Sequence, residues 1–231
     1  MEDYDPLKEY ALSEIKKRGY EISTPWDAVE LFEKKVASYA GSKYAVAVDN
    51  CTNAIFLCLK YLECDKKNTP IVIPKRTYVS IPMTIKNSGC EYRFEDRVWS
   101  GLYQLKPYPI YDSAVRFTKG MYIEDSFQCL SFHRKKVLKL TKGGMILTND
   151  EKAANWFRVV KTKGRHPHKN ILYKNETFEQ FGWNMYMSPE RAAQGILIFD
   201  QLQDTNEDAG SHETYNDLTR HSIFRDKREQ F

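Results

Sequence analysis

The sequence predicts an α/β fold in which a mostly parallel sheet is flanked by helices. Three observations support this prediction. Short apolar runs typical of strands alternate with longer runs that have helical spacing, and polar turns separate them. Hydrophobic residues make up 42% of the 231 residues, which is enough for a large core. No internal repeat or low-complexity linker interrupts the pattern, so residues 1–231 are expected to form one domain with a helical C-terminal extension.

The individual elements are predicted from apolar periodicity and turn residues. Strands are expected at residues 43–50, 70–74, 91–96, 109–114, 127–132 and 143–150. Helices are expected at residues 26–40, 54–62, 77–89, 151–161 and 188–204, and the polar stretch 204–231 is expected to be helical in part. Between residues 96 and 112 the chain is too short for a further helix–strand unit.

Composition narrows the classes of function. Thirty-five basic and 31 acidic residues give a net charge of +4, too weak and dispersed to predict nucleic-acid binding. Five cysteines without a CxxC pair predict neither a disulfide framework nor a metal site. No signal peptide or membrane-spanning run is visible, so a cytoplasmic protein without membrane partners is expected.

Three polar segments follow predicted strands and are candidates for chemistry. Lys135 and Lys136 lie just after the strand at 127–132, in a loop that returns through Gly143 and Gly144. A partly desolvated lysine there could be a nucleophile. The alternative is a solvated basic loop.

The other two candidates also lie at the ends of strands. Asp112 is near the carboxyl end of its strand, where ligands bind in open α/β sheets, although a turn Asp is the alternative. The turn Asn50–Asn53 opens a helix, whose free N–H groups could bind an anion or be capped by side chains.

Five segments together resemble the DegT/DnrJ-type sugar aminotransferases, which are pyridoxal-phosphate enzymes of fold type I. The segments occur in the family's order within residues 26–204: AVAVDNCTNAI, PKRTYVSIPMTI, YDSA, SFHRKKVLKLTKGGMILTND and GWNMYMSPERAAQGILIFDQL. Several weak motifs in the right order are more specific than any one of them. The chain is identified as a short form of this family, with the C-terminal small domain expected to be absent.

The resemblance implies a role for each matching residue. It implies that Lys136 binds the cofactor covalently, and it favours Lys136 over Lys135. Asp112 falls at the position that holds the pyridinium nitrogen, in preference to Asp125. The remaining cofactor ligands implied are Tyr78 (ring stacking), Thr52, Ser131 and Cys51 (phosphate, the last by its backbone N–H), and Asn184 (the phosphate of the neighbouring subunit).

The implied function is transfer of an amino group from glutamate or glutamine to a keto group, on a nucleotide-linked sugar by family resemblance. Asn184 implies a homodimer, with Trp183, Tyr186 and Met187 expected at its interface. The alternatives are a non-catalytic or partner-dependent cofactor-binding subunit and, less favoured because Lys136 is present, a related sugar dehydratase.

Several residues depart from the family pattern. These are Cys51, Val115, Lys142, Met185 and Tyr186. Basic residues at 161–169 could bind a diphosphate, although a solvated loop is the simpler interpretation. His166 and His168 lack a third ligand nearby and do not predict a metal site.

Overall fold

The computed structural model describes residues 6–165, 178 and 180–224. Most of the basic loop, including His166 and His168, lies outside the described residues. In the described part, helices and strands alternate from residue 27 to residue 95, and four further strands then follow without an α-helix between them before the last two helices. The helices are α1 (Pro6–Lys17), α2 (Asp27–Ala40), α3 (Cys51–Tyr61), α4 (Ser80–Asn87), α5 (Glu151–Val160) and α6 (Pro189–Phe199). The strands are β1 (Tyr44–Val48), β2 (Ile71–Pro74), β3 (Tyr92–Glu95), β4 (Tyr103–Gln104), β5 (Ile110–Asp112), β6 (Phe127–Ser131) and β7 (Gly144–Thr148).

Five strands form the main sheet, in the order β1-β7-β6-β5-β4. Strand β7 runs antiparallel to both of its neighbours, β6 and β5 are parallel, and β4 is antiparallel to β5. Strands β2 and β3 form a separate parallel pair. Consequently β1, β5 and β6 all point the same way, and their carboxyl ends lie at one edge.

The α/β class is confirmed, but the strand directions correct one detail of the prediction. Only one of the four neighbouring pairs in the main sheet is parallel, so the sheet is mixed rather than mostly parallel. For the antiparallel β4–β5 pair the reason is the length of the connection. Residues 105–109 join β4 to β5 and carry no helix, whereas a parallel pair needs a crossover of about a dozen residues or more, usually a helix.

Both faces of the sheet are buried. Val46 and Val48 of β1 belong to the half of the core that contains α3, α4 and α5. Ala45 and Ala47 belong to the other half, which contains α1, α2 and α6. This arrangement explains why the strand segments are almost continuously apolar: alternate side chains enter different halves of the core.

Several elements differ from the prediction, among them β4, which was not expected, and α3, which begins at Cys51 instead of residue 54. Helix α1 was not expected, because its acidic and polar residues obscure the apolar pattern. Helix α6 ends at Phe199 instead of residue 204. The described residues after it form short 3₁₀ turns, at His212–Thr214, Leu218–Arg220 and Ser222–Phe224. Among the described residues, no helix combines the length and apolar character needed to cross a membrane.

Candidate active site

A cavity of about 570 Å³ opens where β5 and β6 end and α3 begins. Ligands of α/β sheets bind at such carboxyl edges. Six of the seven predicted site residues line it: Cys51, Thr52, Tyr78, Asp112, Ser131 and Lys136. The other lining residues are Asn50, Thr77, Ser80, Ile81, Trp99, Ala114, Val115, His133, Lys135, Ala209, Thr214 and Tyr215.

The first turn of α3 forms one wall. The Asn50 side chain caps the helix by accepting a hydrogen bond from the Asn53 N–H at 2.8 Å. The first N–H groups of a helix have no acceptor inside it, so those of Cys51 and Thr52 need an outside partner. The Thr52 hydroxyl lies 2.8 Å from that of Ser80 at the start of α4. This wall therefore has the donors of an anion site.

Gly144 allows this wall to come close to the sheet. A Cβ on Gly144 would lie 2.4 Å from the carbonyl carbon of Asn50 and 2.6 Å from the N of Cys51. Gly144 is thus required because the backbone at the start of α3 packs directly against β7.

Asp112 ends β5 at the base of the cavity and is buried. Its carboxylate accepts hydrogen bonds from the Tyr103 hydroxyl at 2.7 Å and the Ala114 N–H at 2.9 Å. Burial raises the pKa of Asp112, while these two hydrogen bonds and the charge of Lys136 oppose that rise. Among the described residues, no cationic side chain is within ion-pair distance of this carboxylate.

Lys136 projects from the loop after β6, and its backbone N–H donates to the His133 carbonyl at 2.8 Å. Its amine donates to the Tyr215 hydroxyl at 3.3 Å. Burial lowers the pKa of Lys136, and the charge of Asp112 opposes this effect. Lys135 also borders the cavity, but its side chain is exposed. The partly desolvated amine is that of Lys136.

The cavity also has an aromatic wall. Tyr78, more than half exposed, lies at the mouth with its ring edge-on to Tyr215 at 6.3 Å. Tyr215 stacks on Trp99 at 5.7 Å, and Trp99 contacts Tyr103 at 4.8 Å. The Tyr103 hydroxyl, which donates to Asp112, also pairs with the Thr77 hydroxyl.

Apart from Tyr78, sequence reasoning missed this aromatic wall. Trp99 and Tyr103 belong to the segment whose helix–strand unit is absent, so no motif marked them. Tyr215 lies in a polar stretch without periodicity, 79 positions from Lys136. Only Thr77 had a signal, since it stands beside Tyr78 in the quoted Pro-x-x-Thr-aromatic motif.

Two predicted residues lie outside the cavity. Asp125, the alternative acidic partner, is exposed and is not among the lining residues. Asn184 is also exposed, and its backbone bridges to Thr162. It makes no contribution to the cavity of its own chain.

The interface expected around Asn184 needs correction. Met187 is buried in the chain's own core, and Trp183 packs edge-on against Phe56 at 5.1 Å. Tyr186 packs in the same way against Trp26 at 5.4 Å. Burial inside its own chain removes Met187 from the expected interface, whereas Trp183 and Tyr186 are only half-buried.

The fold is that of fold type I pyridoxal-phosphate enzymes, as comparisons with known proteins show. A sequence model of the DegT/DnrJ/EryC1/StrS aminotransferase family matches residues 8–110 and 120–220. The chain belongs to this family.

Similar proteins include two curated relatives and a solved structure. The spore coat polysaccharide biosynthesis protein SpsC of Bacillus subtilis is 26% identical over 80% of this chain and 61% of its own length. GDP-perosamine synthase of Caulobacter vibrioides is 23% identical over 75% of this chain and 56% of its own. The structure of NtdA from Bacillus subtilis with bound cofactor PMP superposes with a TM-score of 0.61, at 18% identity, over 82% of this chain and 51% of that one. The chain thus spans less than two thirds of the length of each relative.

Proposed function

We propose that residues 1–231 form one pyridoxal-phosphate-binding domain of an aminotransferase. It would move an amino group from glutamate or glutamine to a keto group on a nucleotide-linked sugar. The observation that carries the proposal is the pairing, in one cavity, of the partly desolvated Lys136 amine with the buried Asp112 carboxylate, beside the N-terminus of α3.

The residues present fit the cofactor. Asp112 is buried without an ion-pair partner among the described residues, so a protonated ring nitrogen would supply the charge that this carboxylate lacks. Thr52, Ser131 and the backbone N–H of Cys51 would hold the phosphate, and Tyr78 would contact the ring. When bound, the cofactor supplies an electron-accepting ring, which makes a proton on the donor's α-carbon easier to remove.

Lys136 would do two tasks with one amine. Burial favours its neutral form, which is the form that can bond to the cofactor and accept a proton. The same nitrogen would hold the proton that is removed from the donor's α-carbon. The aromatic wall of Trp99 and Tyr215 would limit access of water to this nitrogen.

The acceptor class is supported by the relatives' names. One relative is named for spore coat polysaccharide biosynthesis and the other for synthesis of a GDP-linked sugar. A keto sugar carried on a nucleotide is the acceptor we propose for this chain. A cytoplasmic setting is supported by the five cysteines, which are free and buried.

We also propose a homodimer in which Asn184 reaches the partner's phosphate site. The support is that Asn184 is exposed and that Phe181, three residues before it, is 97% exposed. Light scattering should give twice the mass of the chain, and a monomer that retains the cofactor tightly would contradict the shared site.

A turnover assay distinguishes an active aminotransferase from a non-catalytic cofactor-binding subunit. The purified chain, loaded with pyridoxal phosphate, is mixed with glutamate and then with glutamine. We expect loss of the visible absorption band and release of the matching 2-oxo acid, one per site, with Lys136→Ala as the inactive control. Cofactor binding without release of the 2-oxo acid would support the non-catalytic alternative instead.

A further inference from the structure

Residues 203–224, here called the crossing segment, run over the cavity side of the molecule. Three backbone hydrogen bonds fix its path: Ala209 N–H to the Val115 carbonyl, His212 N–H to the Trp99 carbonyl, and Leu218 N–H to the Lys75 carbonyl, at 2.7, 3.0 and 2.9 Å. The segment therefore follows a defined course along the wall that Trp99 and Val115 help to form.

An ion pair holds the start of this path. Arg116 forms a bidentate contact with Asp208, with nitrogen–oxygen distances of 2.8 and 2.6 Å. Gly101, at φ +71°, lies against the pair, and a Cβ there would be 2.4 Å from both side chains. Such two-point Arg–carboxylate contacts are geometrically specific. Lys75 and Asp217 form a second ion pair, at 3.3 Å, near the other end.

This course brings Tyr215 to Lys136. The Tyr215 ring is held between the Trp99 face and the Tyr78 edge, so its hydroxyl has a fixed direction. That hydroxyl is 3.3 Å from the Lys136 amine. Burial, with the nearby charge of Asp112, raises the pKa of Tyr215, which keeps the hydroxyl protonated.

We propose that Tyr215 is a positioning residue for Lys136, and that the crossing segment belongs to the active site because it places that hydroxyl. The role of this contact in catalysis rests on the proposed aminotransferase function. The Tyr215 oxygen accepts a hydrogen bond from the protonated amine and holds the amine at the cavity wall. A hydrogen bond from an ammonium is stronger than one from a neutral amine, so the contact favours the protonated form.

Other groups also set the charge of Lys136, and the test must leave them unchanged. Asp112 acts from the end of β5, Cys51 from the start of α3, and Lys135 from the same loop. His133 lies on the same loop and lines the cavity. Tyr215→Phe removes one oxygen atom and leaves these groups, the ring stacking and the burial in place.

The test measures the pH at which each lysine becomes reactive. The full chain, free of cofactor, is labelled briefly with acetic anhydride between pH 6 and 11, conditions chosen around the usual lysine pKa of about 10.4. Mass spectrometry then gives the labelling midpoint of Lys136, with Lys135 as an internal reference. Tyr215→Phe should lower the Lys136 midpoint by about half a pH unit or more and leave that of Lys135 in place.

Two further variants make the result specific. Tyr61→Phe removes the hydroxyl that pairs with Asp150 at 3.1 Å, outside the cavity lining, and should shift neither midpoint. Asp208→Asn weakens the ion pair that anchors the crossing segment, and it should lower the Lys136 midpoint in the same direction. An unchanged or raised Lys136 midpoint in Tyr215→Phe would overturn the proposal. Borohydride trapping of pyridoxal phosphate by the wild-type chain tests the proposed function separately, because the labelling midpoint does not depend on it.

Discussion

Gly144→Ala is a severe test of how the phosphate wall is built. The added Cβ would meet three backbone atoms, the Asn50 carbonyl carbon and oxygen and the Cys51 nitrogen, at 2.4, 2.7 and 2.6 Å. Carbon atoms pack best at about 3.5–4.0 Å, so β7 and α3 must separate by about 1 Å. Overpacking costs about 1–3 kcal/mol, and we expect the upper end because backbone cannot rotate away. That corresponds to a fall in Tm of about 6–12 °C for a chain of this size.

The same displacement should weaken cofactor retention. Two backbone donors of the α3 turn would move away from the phosphate, and about 1 kcal/mol lost for each amounts to more than about tenfold in affinity. Thermal unfolding and equilibrium dialysis against pyridoxal phosphate measure the two effects. Gly210→Ala is the matched control, because its Cβ would meet only side-chain atoms of Thr214, at 3.0, 3.4 and 3.5 Å, and no backbone atom. A Gly144→Ala protein with wild-type Tm and affinity would refute this account of the wall.

Three further predictions concern charge and assembly. Burial raises the pKa of Asp112 in the folded protein above its value in the unfolded chain. The protonated carboxyl therefore adds to the free energy of unfolding at pH values below the unfolded pKa, and this contribution is lost as the pH rises through the folded pKa. The free energy of unfolding is measured by urea titration without cofactor at a series of pH values. Above about pH 4, the stability of Asp112→Asn relative to wild type should increase with pH, by at most about 1.4 kcal/mol per pH unit. A difference between the two proteins that does not change with pH would contradict this. Lys161→Met should destabilise the fold by about 3 kcal/mol in the same titrations, because it leaves Glu33 buried without its 3.0 Å partner; an effect below about 1 kcal/mol would show that Arg158 is sufficient for Glu33. Asn184→Ala should weaken cofactor retention in dialysis without changing Tm, and unchanged retention would remove Asn184 from the site.

Most of the cavity could be predicted because its residues lie in local sequence patterns. Thr52, Asp112 and Ser131 each stand at the end of a strand or the start of a helix, Lys136 follows in the loop after β6, and parallel strands bring such ends together. The choice between Lys135 and Lys136 depended on spacing. In the structure the Lys136 amine is partly desolvated and the Lys135 side chain is exposed, and the choice between them as the cofactor-bearing residue stays a prediction.

The rest depends on the path of the chain, which local patterns do not encode. Tyr215 reaches the cavity because helix α6 stops at Phe199 and the following residues turn back along Trp99 and Val115. Each anchor of that path joins residues that are distant in sequence, for example Arg116 and Asp208. The antiparallel β4 was missed for a related reason: a two-residue strand has no periodicity to detect.

The most direct test of the central claim is to locate the covalently bound cofactor. The chain is incubated with pyridoxal phosphate, reduced with borohydride, digested and mapped by mass spectrometry. We expect the adduct on Lys136, a visible absorption band that is absent in Lys136→Ala, and a retained band in Lys135→Ala. An adduct on Lys135, or no adduct on either lysine, would contradict the assignment of this cavity as a pyridoxal-phosphate site built around Lys136.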